Sequence, residues 1–153
     1  MSTIKVDTYL TRGGASEIAI DKLKGASSAA SMTVVGEGGS TTTNLQQGLA
    51  KAWISMNGTG TIAVRDSFNI TGITDQGTGL TTVTIANNMG SAEYSIGGAS
   101  GTFIDNSDNV RFGLATDPEA PTSTLFRTIT REANDDTNRD VTYSFAQVHG
   151  DLA

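Results

Sequence analysis

The sequence predicts an all-β protein: an antiparallel β-sandwich, with a jelly-roll-like arrangement as one form of it, that carries an extended N-terminal arm. Three observations support this prediction. Short runs of alternating apolar and polar residues recur along the chain, and stretches rich in glycine and asparagine separate them. Helical periodicity is nearly absent. No βαβ pattern appears that would indicate a parallel sheet.

The clearest element is a β-hairpin in residues 67–85, which read SFNITGITDQGTGLTTVTI. The first run is interpreted as one continuous strand that leads into a glycine-rich loop at residues 75–79. After the loop, Val83 and Ile85 share one face and threonines share the other. Two alternating runs around such a loop are typical of a hairpin.

The same alternation predicts six further strands. In the first of them Ala52, Ile54 and Met56 lie on one face, and the Asn-Gly-Thr-Gly turn that follows is typical of hairpins. In the last, Tyr143 and Phe145 mark the apolar face. The predicted strands are residues 51–56, 61–65, 92–96, 110–114, 122–130 and 141–148, and the turn-rich stretches between them include residues 97–101.

One short helix is predicted, at residues 45–52. Thr43 and Asn44 are the candidate N-caps, because their side chains can accept from the first free backbone N–H groups. Gly48 interrupts the helix, so we expect at most two turns.

The domain organisation predicted is an anchoring arm at residues 1–47 and a β-sandwich domain at residues 48–153. Residues 1–47 are rich in small and polar residues and offer little to bury in a core of their own. A flexible terminus is one interpretation. We favour an arm that adds short strands to a neighbouring subunit, because a mere tail does not need β-branched pairs. These apolar contact residues are Ile4, Val6, Ile18 and Ile20.

Composition and charge exclude several classes of function. The chain has 153 residues and a net charge of −6, and its 10 lysines and arginines are scattered, so nucleic acid would meet no basic patch. It has no cysteine, which excludes disulfides and thiolate metal sites. No apolar run approaches the roughly 18 residues of a membrane span. We therefore expect neither nucleic acid nor a membrane as a partner.

No catalytic motif is apparent. His149 is the only histidine and is interpreted as a polar residue at the end of a strand. Ser100 lies in Gly-Gly-Ala-Ser-Gly, which lacks the G-x-S-x-G spacing of a nucleophile elbow. The glycines at residues 36–39 and 57–61 lack the helix and the lysine of a phosphate-binding loop. The expectation is a protein that is not an enzyme and has no catalytic, cofactor or metal site.

Two acidic loops and one tryptophan leave alternatives open. The loops run from Asp105 to Asn109 and from Asn134 to Asp140. They are interpreted as solvated turns, with a calcium site as the alternative, although neither follows the EF-hand spacing. Trp53, the only tryptophan, is interpreted as a core or interface residue that contributes to assembly, and a sugar-binding platform is the alternative.

Residues 50–96 also carry a resemblance. They begin AKAWISMNGTGTIAVRDSFNITGITDQGTG and run on to TVTIANNMGSAEYSI. The Ala-Lys-Ala-Trp start, the Asn-Gly-Thr-Gly turn, the Ser-Phe-Asn strand and the Thr-Asp-x-Gly-Thr-Gly loop follow one another. In this order they resemble the virion appendage and tail-fibre-like structural proteins of tailed bacteriophages, of the marine phage and cyanophage type. The opening Met-Ser-Thr-Ile-Lys-Val-Asp-Thr also resembles the start of such fibre proteins.

The resemblance implies a β-sandwich, a homotrimer and a non-enzymatic structural role in a virion, as a fibre-like appendage or tail fibre protein anchored by its arm. The chain has no heptads, no Gly-x-y run and no internal repeat, so it reads as a compact domain with an arm. A capsid decoration (cement or head fibre) protein and a host-glycan receptor-binding module therefore stay as alternatives. The expected partners are further copies of this chain, other virion proteins of tail or capsid and, for the last alternative, host surface glycan. The expected location is the virion, assembled in the host cytoplasm and extracellular after release.

Overall fold

The computed structural model describes residue 22 and residues 32–101, 110–117 and 119–153. Within these ranges the chain forms short strands, one single-turn helix and the turns that join them. The elements are β1 (Thr33–Val35), β2 (Thr42–Asn44), α1 (Leu45–Gly48), β3 (Ala52–Asn57), β4 (Ala63–Phe68), β5 (Ile70–Gly77), β6 (Leu80–Ile85), β7 (Ser95–Gly101), β8 (Val110–Leu114), β9 (Leu125–Glu132) and β10 (Tyr143–His149).

Eight of these strands form two four-stranded antiparallel sheets. The first sheet has the order β4-β3-β10-β7 and the second sheet the order β5-β6-β9-β8. Hairpin neighbours pair within a sheet, whereas β10 returns late in the chain to lie between β3 and β7. β1 and β2 form a separate hairpin. The all-β antiparallel sandwich predicted from the sequence is confirmed.

The core lies between the two sheets and consists of side chains from alternate positions on each strand. Val83 and Ile85 face inward from β6, as the alternation predicts, and Phe126 faces inward from β9. The inward face predicted for β3 is also confirmed. The buried apolar cluster consists of Ala52, Ile54, Met56, Val83, Ile85, Met89, Phe126, Ala146 and Val148.

The inward face of β10 is the opposite of the one predicted. Its buried residues are the small ones, Ser144, Ala146 and Val148. Tyr143 is only partly buried and Phe145 is exposed on the outer face. Ile54 from β3 and Phe126 from β9 already occupy much of the space between the sheets. Small side chains on β10 complete this space, whereas a second large ring would overpack it.

Residues 97–101, which the sequence predicts as a turn, belong to β7. A Cβ atom on Gly98 would lie 2.2 Å from the ring of Phe112 on β8. The glycine therefore allows this ring to approach the backbone of β7 closely. The prediction was wrong because composition alone does not distinguish a glycine that permits a turn from one that permits close packing.

Asn69 carries the chain from the first sheet to the second. Its φ of 57° between β4 and β5 is a left-handed conformation that asparagine adopts more readily than most residues. Its Nδ2 donates to the carbonyl oxygens of Lys51 at 2.9 Å and Asn87 at 3.2 Å. Its Oδ1 accepts from the backbone N–H of Asn87 at 2.7 Å. The continuous strand predicted from residue 67 onward is therefore divided at this position.

The predicted short helix is the single turn α1, with Asn44 as its N-cap. The Oδ1 of Asn44 accepts from the backbone N–H of Gln47 at 3.0 Å, and the carbonyl oxygen of Met32 accepts from the N–H of Leu45 at 2.9 Å. The β1–β2 hairpin and most of α1 fall within the arm predicted at residues 1–47. The arm contact residues predicted from the sequence lie outside the described residues: Ile4, Val6, Ile18 and Ile20.

One end of the sandwich gathers both α1 and the last described residues. The N–H of Lys51 donates to the carbonyl oxygen of Val148 at 2.7 Å, and Leu152 forms a β-bridge with Met89. The opposite end carries the β3–β4 turn, the β5–β6 turn and the loop between β9 and β10, which hydrogen bonds join to one another. The two ends of the domain therefore differ in what they carry.

Tyr94 is expected to make folding stability sensitive to strongly alkaline pH. Its hydroxyl donates to the carbonyl oxygens of Thr122 at 2.8 Å and Leu125 at 2.9 Å, and burial raises its pKa from 10.0 to about 12. Because the folded state favours the protonated phenol, this contribution is complete below pH 10 and is lost as pH rises towards about 12.

We expect Tyr94→Phe to lower the free energy of unfolding at pH 8 by roughly 1–3 kcal/mol, because the hydroxyl proton that the two carbonyl oxygens share is lost. The carbonyl oxygen of Leu125 still accepts from the N–H of Thr122. The variant should also lose less stability than the parent protein between pH 10 and 12. Denaturant titrations at several pH values measure both effects. Tyr143→Phe is the control and should retain the alkaline loss. An unchanged alkaline loss in Tyr94→Phe would contradict this assignment.

Candidate functional site

The outer face of the first sheet carries exposed aromatic side chains. Trp53 on β3, Phe68 on β4 and Phe145 on β10 are 37%, 54% and 44% exposed. Tyr143 lies two residues before Phe145 on the same face of β10. We call these four residues the aromatic face. Monomeric soluble proteins rarely expose large contiguous apolar patches, so such a face indicates a contact surface.

The strand register brings the side chains of the aromatic face together. Trp53 is paired with Phe68 on the neighbouring strand. The rings of Tyr143 and Phe145 stack with centroids 6.3 Å apart and an angle of 13° between their planes. The guanidinium carbon of Arg65 lies 4.6 Å from the centre of the Tyr143 ring. The stacking and the cation–π contact orient the rings of Tyr143 and Phe145 on β10.

A shallow groove of about 700 Å³ runs beside Trp53 and Phe145. Its floor towards the sheet edge is formed by Gly97 and Ala99 of β7, whose side chains are too small to fill it. Its polar lining consists of Ser55, Asp66 and Gln147. The groove therefore combines two exposed rings, a flat small-residue floor and a few hydrogen-bonding groups.

A second groove, of about 740 Å³, lies at the end of the sandwich that carries α1. Leu49, Phe68 and Leu152 give it an apolar lining, and Leu49 and Leu152 are exposed. The buried Lys51 borders it, and the ammonium group of that lysine donates to the carbonyl oxygens of Gln46 and Leu49. Phe68 lines this groove and also belongs to the aromatic face, so the two apolar surfaces are continuous.

The outer face of the second sheet is different in character. Thr74 pairs with Thr82 across β5 and β6, and Arg127 of β9 pairs with Thr82 on the other side. The Nε of Arg127 donates to the Oγ1 of Thr82 at 3.2 Å, and its guanidinium lies 3.0 Å from the carboxylate of Glu119. The polar groups at the centre of this face therefore already have hydrogen-bond or ion-pair partners. Because the first sheet instead exposes aromatic rings, its outer face is the candidate contact surface.

The acidic loop at residues 134–140 uses its carboxylates within the molecule. Asp136 forms ion pairs with Arg111 at 3.0 Å and with Arg131 at 3.1 Å. Hydrogen bonds from the hydroxyl and the backbone N–H of Thr137 lower the pKa of Asp135. Within the described ranges, no three His, Cys, Asp or Glu side chains come together as a metal site. The other acidic loop, residues 105–109, lies outside the described residues.

The structure places the three residues discussed in the sequence, Trp53, His149 and Ser100, at different positions of the first sheet. Trp53 is absent from the buried core, which excludes core packing; the interface role and the sugar-binding alternative both stay predictions. His149 ends β10 opposite Ser95. Ser100 lies on β7 opposite Ser144, and both hydroxyl oxygens are buried, so Ser100 is not open to a substrate.

Sequence reasoning missed Phe68 and Phe145 as members of a common surface with Trp53. The three lie far apart in the chain, and only the pairing of β3 with β4 and β10 places them together. A signal existed within β10, because its other face consists of the small residues Ser144 and Ala146. Large rings opposite small residues in one strand indicate that the rings face outward when the partner sheet already fills the core.

In the described part of the chain, no helix is long and apolar enough to cross a membrane. No protein-family model, curated protein or solved structure matches the chain. The aromatic face is the feature of the described residues that points to a function, namely contact with a partner.

Proposed function

We propose that this protein is a non-enzymatic structural subunit of a tailed-phage virion: a trimeric, fibre-like appendage or tail fibre protein anchored by its N-terminal arm. Residues 50–96, which carry the resemblance to phage appendage proteins, include β3 and β4 and thus contribute Trp53 and Phe68 to the aromatic face. The segment that prompts the proposal therefore also builds half of the proposed contact surface.

The aromatic face is the observation that carries this proposal. It offers four rings on one sheet, and aromatic residues are enriched at the centres of protein interfaces. Three copies can turn this face towards a common axis, where the rings of Trp53 and Phe145 leave water together. The second sheet, with its partnered arginine and threonine groups, then remains outside.

Oligomeric state tests the proposal directly. Light scattering coupled to gel filtration should give the mass of a trimer for the parent chain. Phe145→Glu should shift the mass to that of a monomer, because a carboxylate at the centre of the contact would lose its hydration. Leu114→Glu is the matched control, since Leu114 is similarly exposed at the edge of the second sheet, and it should stay trimeric. A monomeric parent chain, or a trimeric Phe145→Glu variant, would argue against the proposal.

Copy number in purified particles tests the virion assignment and the alternative placement. Copies that follow the icosahedral symmetry of a capsid would identify a decoration protein, whereas copies that follow the rotational symmetry of a tail would identify a tail appendage. Quantitative mass spectrometry and particle imaging provide the measurement. Absence of the protein from purified particles would contradict a structural role in the virion.

Glycan recognition is the second candidate function, and the groove beside Trp53 and Phe145 is the observation that favours it. Exposed rings next to Asp66 and Gln147 offer a surface for stacking and side chains for hydrogen bonds to hydroxyl groups. A glycan array with the purified protein tests this function. Binding that Gln147→Ala weakens while the oligomer persists would support it, and no binding to any host glycan would leave only the structural role.

A further inference from the structure

The space between the two sheets is apolar towards one end of the sandwich and polar towards the other. Val83, Phe126 and Val148 belong to the apolar part. Further along the same inward faces, towards the end that carries the β3–β4 and β5–β6 turns, the strands bury hydroxyl side chains instead. These residues are Thr81, Thr128, Thr130 and Ser144.

The hydroxyl of Ser144 is buried without a hydrogen bond to any residue that the structure describes. Ser144 is 2% exposed, and its neighbours across the strands are Met56 on β3 and Ser100 on β7. The thioether of Met56 is only a weak acceptor. Burial of a hydroxyl without a partner costs free energy, and nearly all buried polar groups in folded proteins have one. The position therefore calls for a partner that is not a side chain.

Two threonine hydroxyls of the second sheet have hydrogen-bonding capacity left. The Oγ1 of Thr130 donates to the carbonyl oxygen of Arg139 at 2.5 Å. The Oγ1 of Thr128 reaches the carbonyl oxygen of Thr81 only at 3.5 Å, which is long for an O–H···O bond, usually about 2.7–2.8 Å. A hydroxyl group has one proton and two lone pairs, so both oxygens can still accept a hydrogen bond.

A small cavity of about 10 Å³ lies between these hydroxyl groups. Ser144 lines it from the first sheet, and Thr81, Thr128 and Thr130 line it from the second. A buried water molecule requires about 10–15 Å³ and two to four polar partners, whereas cavities with a purely apolar lining stay dry. The cavity thus offers the space and the hydrogen-bonding groups for one water molecule and has no room for a larger ligand.

We propose that this cavity is a binding site for a single structural water molecule that joins the two sheets. The water accepts a hydrogen bond from the Oγ of Ser144 and donates to the Oγ1 atoms of Thr128 and Thr130. It links β10 to β9 in the polar part of the core, where apolar side chains do not connect the sheets. This inference concerns the interior of the domain and is independent of the proposed assembly function.

A crystal structure of the full-length chain, at a resolution that shows ordered water, tests the proposal directly. We expect one water oxygen within about 2.6–3.2 Å of the Oγ of Ser144 and of at least one of the two threonine hydroxyls. A dry cavity would overturn the proposal. So would a Ser144 hydroxyl that donates to a protein group instead of to water.

Oxygen-17 magnetic relaxation dispersion counts long-lived water molecules in solution and provides a second test with matched variants. Ser144→Val replaces the hydroxyl and fills the cavity, and we expect it to lose one long-lived water. Ser100→Val makes the same change at the residue opposite, whose hydroxyl is also buried but does not line the cavity, and should lose none. An equal count in the two variants would overturn the proposal. If Ser144→Val does not fold, the crystal structure of the parent chain decides.

Discussion

Replacing Phe126 with alanine is expected to lower the free energy of unfolding by roughly 3–5 kcal/mol. Phe126 is the largest fully buried side chain in the described core, where it packs between the two sheets at 1% exposure. Truncation removes its apolar surface from the interior and leaves a cavity that the neighbouring strands can fill only in part. A domain with a stability of about 5–15 kcal/mol would lose much of it.

Denaturant unfolding followed by tryptophan fluorescence measures this loss, since the chain has a single tryptophan. Phe68→Ala is the control: it makes the same chemical change at an exposed position and should cost less than about 1 kcal/mol. Both variants are compared at one low protein concentration, because Phe68 belongs to the aromatic face and assembly adds to apparent stability. Similar losses for the two variants would contradict the position of Phe126 in the core.

Replacing Gly79 with alanine is expected to cost about 3 kcal/mol. Gly79 has φ of 68°, and an added Cβ would lie 2.5 Å from the carbonyl oxygen of Thr130 and 2.8 Å from the backbone nitrogen of Arg139. The left-handed conformation accounts for roughly 1–2 kcal/mol of the cost. The remainder follows because the Thr130–Gly79 and Arg139–Thr130 backbone hydrogen bonds must move apart to admit the methyl group.

Gly60→Ala separates the two contributions. Gly60 has φ of 66°, almost the same as Gly79, yet an added Cβ there meets nothing within 4 Å. It should therefore cost only the conformational part, about 1–2 kcal/mol. The measurement is the difference in free energy of unfolding between the two variants and the parent chain. Equal losses would show that the loop between β9 and β10 does not press on the β5–β6 turn.

The sequence predicts much of the sandwich because alternation reports burial directly. In β3 and β6 every second residue faces the core, and Ala52, Ile54, Val83 and Ile85 are found where the period of two requires them. The strand at residues 110–114 has the predicted bounds, since turn-rich sequence flanks it on both sides. In these strands the local sequence pattern is sufficient to predict which residues face the core.

The predictions failed where the answer depends on a contact distant in sequence. Gly98 is extended because Phe112 occupies the space of its side chain. Asn69 divides a strand because its side chain is held by the backbone of Lys51 and Asn87. The choice between the two faces of β10 depends on how much room the second sheet leaves. None of these partners can be identified from the local pattern.

The candidate site was predicted in part. Trp53 was expected in the core or at an interface; it is exposed on the aromatic face, so the core interpretation is wrong and the interface role stays a prediction. Its neighbours Phe68 and Phe145 could not be assigned to the same face, because the register of three strands determines which outward residues meet. The arm contacts predicted from the sequence lie outside the described residues and stay a prediction: Ile4, Val6, Ile18 and Ile20.

The two ends of the sandwich carry different elements. We call the end with α1 the base and the end with the β3–β4 and β5–β6 turns the tip. The base holds α1 and the bridge between Met89 and Leu152. The tip displays the β3–β4 turn and the loop between β9 and β10. Under the proposed anchoring by the arm, an epitope inserted next to Gly60 at the tip should therefore stay accessible to antibodies in the assembled protein.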